Sequence, residues 1–213
     1  MSYLKSTGII GAVLVSMLII SPLLNSVNAK TDPRLLPPAL NKSLSVKWWK
    51  WLLSIPSDNN PIIDDHPCDV KQKGSIFYLV GTFGGSAERS CTISKDKAIF
   101  FPIVNVIATL DPTPEFNTIN KLKKQAALYI DQATDLKASV DGVDIQNLQA
   151  LRAQSPPFKV QDNLTPDGVL TGVSDGYWVP LKPLSVGEHL IHFAAKVPAF
   201  NFETDVTYHL TIK

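Results

Sequence analysis

Four histidines, a pair of adjacent acids, two cysteines and a run of tryptophans are the residues of this chain whose types and spacing could do chemistry. A metal centre would need three or four of His66, His189, His192 and His209, or carboxylates beside them, converging at about 2 Å. His189 and His192 are three apart, a spacing that gathers rings on a helix but sends them to opposite faces of a strand. His192 and His209 fit better as a pair, on the outer face of two strands joined across Lys196 to Thr204. They are the weak metal-ligand candidates of the chain; no metal and no cofactor is expected. Asp64, Asp65 and His66 set two carboxylates beside a base, which could serve acid and base work or, with Asp58, Asn59 and Asn60, a hard cation. Neighbours in a turn seldom face each other across a sugar as glycosidase acids must, and the spacing is not that of an EF-hand loop. A solvated turn is the simpler reading. No GxSxG elbow occurs, and no catalytic residue is assigned.

Trp48, Trp49 and Trp51 form the most informative binding candidate, because exposed tryptophan faces stack on sugar rings and settle at membrane interfaces. The same spacing, extended by Leu52 and Ile55, also suits the buried face of a helix. Tyr177 and Trp178 offer a second aromatic platform.

The opening 29 residues bear on where such chemistry would happen. Lys5 precedes an apolar run from Gly8 to Ile20, then Pro22 and the small-residue ending Val27-Asn28-Ala29, the pattern of a cleaved secretory signal peptide. An apolar run of about 13 residues is short of the roughly 20 that span a bilayer, so no stable transmembrane span is expected after cleavage. Lys5 is the leader's one cation, so 20 Lys and Arg less that one stand against 19 Asp and Glu in the rest of the chain. A neutral protein without a basic cluster has no electrostatic reason to bind nucleic acid. Export sends Cys68 and Cys91 into a compartment where thiols oxidise, and one disulfide is expected, formed where the strand holding Phe77 and Tyr78 meets its neighbour. Two sequons, at Asn41 and Asn163, matter only in a host that glycosylates them.

The elements that must position these residues follow from punctuation and period. Pro33, Pro37 and Pro38 make 30–42 an extended linker, with order beginning after it. Ser43 or Ser45 caps a short helix that Pro56 stops. Strands are expected from Ser75 to Val80, from Glu88 to Ile93, carried back beside the first by a reversal over Gly81 to Ser86, and from Ala98 to Val104, where Pro102 implies an edge or a bulge. Ile119, Leu122, Ala126, Tyr129, Ile130 and Ala133 recur at helical spacing and predict a helix over 118–134. Asp141-Gly142 predicts a primed hairpin turn between strands Leu136 to Val140 and Val143 to Leu148. A short strand from Phe158 to Val160 leads into a polar loop reaching Gly172. Further strands are read at Tyr177 to Leu181, His189 to Ala195 and Asp205 to Ile212, and strict alternation in the last buries Val206, Tyr208, Leu210 and Ile212 on one face.

Eight or so short strands, without a βαβ rhythm, give the fold class as all-β and mainly antiparallel. This is a β-sandwich, Ig-like or jelly-roll-like, with a short N-terminal Trp-rich helix and one inserted α-helix at about 118–134. The expected organisation is a signal peptide over 1–29, a linker over 30–42 and a single domain over 43–213.

The segments Trp51-Leu52-Leu53-Ser54-Ile55-Pro56, Arg89-Ser90-Cys91-Thr92-Ile93 and Lys97 through Asn105 occur together with a C-terminal run. That run comprises Asp175-Gly176-Tyr177-Trp178, Pro183-Leu184 through His189 to Phe193, and Thr207 to Thr211. In this combination the chain resembles a family of secreted prokaryotic proteins, with a two-cysteine β-rich domain, that carries no assigned activity; the likeness spans most of 48–212. The family pattern has a glycine-containing turn before the first cysteine, where this chain has Asp64-Asp65-His66-Pro67. The resemblance implies secretion and a common fold, and it transfers no catalytic residue. The expectation is therefore an exported, non-catalytic protein, secreted or held in the cell envelope or periplasm, that binds an extracellular or envelope component. The alternative is a secreted hydrolase acting on glycan or another polymer.

Overall fold

The computed structural model describes residues 32–63, 67–110, 118–164 and 168–213. The expected signal peptide, the Asp64-Asp65-His66 group, the proline loop 111–117 and Thr165 to Asp167 lie outside them.

Among the described residues, nine strands fall into two sheets. They are β1 (Ile76–Tyr78), β2 (Gly85–Ile93), β3 (Ala98–Thr109), β4 (Thr134–Val140), β5 (Val143–Asp144), β6 (Phe158–Asp162), β7 (Gly168–Leu181), β8 (Gly187–Val197) and β9 (Phe202–Ile212). The first sheet has the order β1-β3-β7-β6 and the second β2-β9-β8-β4-β5. Both are mixed: β1 runs parallel to β3 and β2 parallel to β9, while the remaining pairs are antiparallel. The parallel pairs correct one expectation. β2 does not return beside β1 but crosses to the other sheet, and the long excursion through β2 is what lets β3 come back parallel to β1.

Side chains from both sheets share one core, with Phe101 of β3 and Phe193 of β8 at 4.9 Å between ring centroids. Alternation along β9 holds as read: Val206, Tyr208, Leu210 and Ile212 are buried and His209 is exposed. The Asp141-Gly142 turn has φ of 54° and 74°, the left-handed pair that a primed hairpin requires. Pro102 sits at a register shift against β7, so it marks a bulge. Gly172 belongs to β7, opposite Phe158, rather than to the polar loop.

Two helices complete the fold. α1 (Asn41–Leu53) covers the other face of the first sheet, where Trp48, Leu52 and Ile55 pack with Phe100 and Trp178. Neither serine caps it. It continues directly from a short 3-10 turn, Pro38–Leu40, and the Ser43 and Ser45 hydroxyls donate back to Leu40 and Lys42 carbonyls. Buried Asn60 satisfies its far end by donating from Nδ2 to the carbonyls of Leu52 and Ile55, each at 2.9 Å. α2 (Ile119–Asp131) is capped by Thr118, whose Oγ1 accepts from Lys121 N, and stops short of Thr134 because that residue starts β4. It packs Leu122 and Ala126 on Ala108 and Val173, where β3 and β7 run on together.

The segment read as a linker is docked. Leu35 is buried, Leu36 N donates to Pro180 O and Lys182 N to Arg34 O, and the Arg34 guanidinium binds Asp32 together with the carbonyls of Val143 and Asp144. Proline kept this stretch out of a ladder without keeping it out of the fold.

Candidate functional site

The ladder between β1 and β3 stops early. Its last bond is Leu79 N to Phe100 O at 3.1 Å. Side chains cap the outer edge of this short strand. The Gln72 amide accepts from Tyr78 N and donates to Tyr78 O, and the Tyr208 hydroxyl accepts from Val80 N at 3.2 Å and donates to Val80 O at 3.0 Å. The chain then leaves through Gly81, Thr82 and Phe83 to begin β2 in the other sheet, while β3 runs on to Thr109. A cleft of about 350 Å³ opens beside Pro102 to Ile107 as a result.

One wall comes from α1 and the turn after it, through Trp48, Trp49 and Ile62; the other comes from α2 and β9, through Tyr129, Phe202 and Thr204. Phe83, 69% exposed, stands at the mouth. Trp49 is fixed by a 2.8 Å bond from its Nε1 to Ser174 Oγ. No described lining residue carries an ionised side chain, since burial lifts the Tyr129 phenol above its usual range and keeps it neutral. Polar groups are few. Thr82 and Thr204 hydroxyls meet at 3.0 Å, and the Nδ2 of Asn105 is buried without an acceptor. Glycine is required behind Asn105: a Cβ at Gly176 would stand 2.7 Å from both Asn105 Cβ and Val104 O. An apolar hollow of this size with a few convergent polar groups has the make-up of a small-ligand site.

The residues singled out from sequence are spread over several places. Trp49 lines the cleft half-buried, while Trp48 borders it from the core, 1% exposed, with its Nε1 donating to Leu79 O at 2.8 Å. Trp51 is buried with its Nε1 donating to Val70 O at 3.0 Å; Trp178 is buried and stacks on Phe100; Tyr177 is buried and donates to Gln149 Oε1 at 2.8 Å. The faces of these three rings are occupied by the protein's own core. His192 and His209 share the outer face of the second sheet, but each meets its own carboxylate, Asp205 at 3.0 Å and Glu88 at 2.6 Å. Among the described residues no three His, Cys, Asp or Glu side chains are grouped to hold a metal ion. His189 lies apart, against Asp141 at 2.8 Å and the Ser185 carbonyl at 2.9 Å. Burial works against its charge, but these partners outweigh burial and raise its pKa. Cys68 and Cys91 are joined, with their Cα atoms 6.0 Å apart, tying the loop before β1 to the edge strand of the other sheet rather than to a neighbour of β1.

A second, shallower hollow is polar and holds Lys42, Lys123, Arg152 and Asp175. Arg152 is committed there to structure. Burial opposes its charge, yet bonds to Asp175 and Asp131 hold its pKa above the ordinary value, and a further N–H donates to the Ala127 carbonyl.

Asn105, Phe83, Tyr129 and Phe202 were not legible as site residues. The one available signal was Asn105, a polar residue directly after the apolar run from Ala98 to Val104.

No family model and no curated protein matches this chain. A solution structure of amebosin aligns with 66% of this chain and 100% of its own at 13% identity and a TM-score of 0.23, a likeness too low to carry an argument. No helix among the described residues is long and apolar enough to cross a membrane.

Proposed function

We propose that the chain is an exported, non-catalytic binding protein, a β-sandwich whose ligand enters the cleft along β3. The observation that carries this reading is the uncharged, aromatic-walled hollow with the unpaired Asn105 amide at its floor. Neutral lining admits a neutral, largely apolar ligand and penalises a charged one, which would lose its hydration without gaining a counter-charge. The Cys68–Cys91 disulfide suits an oxidising compartment and supports export. Immunoglobulin-like or jelly-roll-like architecture remains the finer reading of the two sheets.

Titration of the purified protein, disulfide intact, with the neutral apolar dye Nile red tests this. One saturable site is expected, and Phe83→Asp, a change at an exposed position of the mouth, should weaken it by roughly tenfold, about 1.4 kcal/mol. Absence of saturable binding, or binding indifferent to Phe83→Asp, would overturn the assignment of the cleft.

A further inference from the structure

The floor of the cleft is an unpaired strand edge. On β7 the carbonyls of Gly176 and Ser174 accept from Ala153 N at 2.9 Å and Ser155 N at 2.8 Å, on the side away from β3. Backbone groups of successive residues in a strand point to opposite sides, so Tyr177, Asp175 and Val173 turn theirs toward β3. Their register partners are Val104, Val106 and Ala108. Asn105 and Ile107 therefore direct their N–H and C=O groups the other way, into the cleft. Beyond Phe100 no strand among the described residues pairs with β3 on that side.

Two other strand edges nearby are closed. Gln72 brackets the backbone of Tyr78 and Tyr208 that of Val80, while Leu36 N and Arg34 O meet Pro180 on β7 and Lys182 just after it. Pro102, at the start of the open stretch, has no N–H to leave unpaired. A bare edge beside two that are capped is a template for another strand. Pro102 to Ile107 line the cleft without a break, which is roughly 20 Å of strand. The walls match what a strand would present. Alternate side chains of an extended segment point to opposite faces, one set toward Trp49 and Ile62 and the other toward Tyr129 and Phe202.

We infer that the cleft takes an extended, uncharged peptide segment of a partner protein, added as a strand to β3. Asn105 and Ile107 supply the main-chain hydrogen bonds, and Asn105 Nδ2 donates to a carbonyl of the incoming segment. Charged side chains are excluded because the walls offer them no counter-charge. This inference rests on the cleft being the ligand site.

The experiment uses the purified protein, disulfide intact, and a pool of end-blocked hexapeptides that alternate Val, Leu or Phe with Ser, Thr or Asn. Retained peptides should compete with Nile red. On their addition, hydrogen exchange of the Asn105 and Ile107 amides, followed by NMR, should slow by at least about tenfold, while Val104 and Val106, already paired to β7, hardly change. Nile red binding with no retained peptide, or retained peptide without protection of Asn105 and Ile107, overturns strand addition and leaves the apolar cleft standing. Failure of both dye and peptides overturns both readings. A dimer with these amides protected before any peptide is added would make the occupant a second copy and refute a partner segment.

Discussion

Removing a single oxygen should measure how β1 is ended. Tyr208 is fully buried, burial raises its phenol pKa, and its hydroxyl is both acceptor and donor for the backbone of Val80, itself 1% exposed. In Tyr208→Phe the ring still packs on Phe193 at 6.3 Å between centroids, so little apolar contact is lost. What remains is a buried N–H and a buried C=O with no partner. Each such group costs about 1–3 kcal/mol, and partial relaxation of the Val80 backbone takes the sum below its upper bound, so a total of about 2–4 kcal/mol is expected. Urea unfolding at neutral pH is the assay; with a slope of about 2 kcal/mol/M the midpoint should fall by roughly 1–2 M at unchanged slope. Tyr177→Phe is the control, since that hydroxyl meets only the Gln149 side chain at a part-buried site, and it should cost about 1 kcal/mol or less. A cost below about 0.5 kcal/mol for Tyr208→Phe would refute the claim that this hydroxyl substitutes for a strand partner.

Arg152→Met strands Asp175, 1% exposed, with only Gln154 Nε2 and its neighbour's backbone N–H for company; calorimetry should show a loss of about 3 kcal/mol. The raised pKa of His189 means that its pairing with Asp141 stabilises the fold fully below about pH 6.5 and is lost as pH rises through the higher folded value. Melting temperature should drift down across that window, by an amount worth less than about 1 kcal/mol, and His189→Gln should flatten the drift. Leu210→Ala should cost about 2–5 kcal/mol and His209→Ala about 0.5 kcal/mol or less in denaturant melts, and the reverse order would contradict the facing of β9. N-terminal sequencing of exported material should read from Lys30; an intact Met1 embedded in membrane would favour a signal anchor.

What could be read in the sequence was local. The alternation of β9, the Asp141-Gly142 turn and the period of α2 each depend on residues within a few positions of one another, and each is found where its pattern lies. Partnership between strands was not local. Glu88 to Ile93 looked like the neighbour of β1 because consecutive strands usually pair, and nothing in its residues names β9 as its partner instead. The cleft inherits that difficulty. Its floor exists because β1 ends while β3 continues, a difference visible only once the register of both strands is known. Trp51 and Trp178 illustrate a second limit: aromatic spacing identifies a packed cluster and says little about which ring keeps an accessible edge. Trp49 keeps one because Ser174 holds its indole at the cleft wall.

The placement of β9 inside its sheet, with β2 on one side and β8 on the other, sets a timetable for folding. Gly85 pairs with Thr204 and Ile93 with Ile212, so β2 has no ladder partner until well over half the described chain has followed it. A chain crossing a membrane from its amino end cannot close this core while β9 is still behind, and contacts of such long separation form slowly. In the export proposed above, this topology would delay folding until the whole domain has crossed. During that interval β2 is an unpaired strand, and the Cys68–Cys91 bond, which closes over a separation of only 23 residues, is the constraint that can form first and hold it in place.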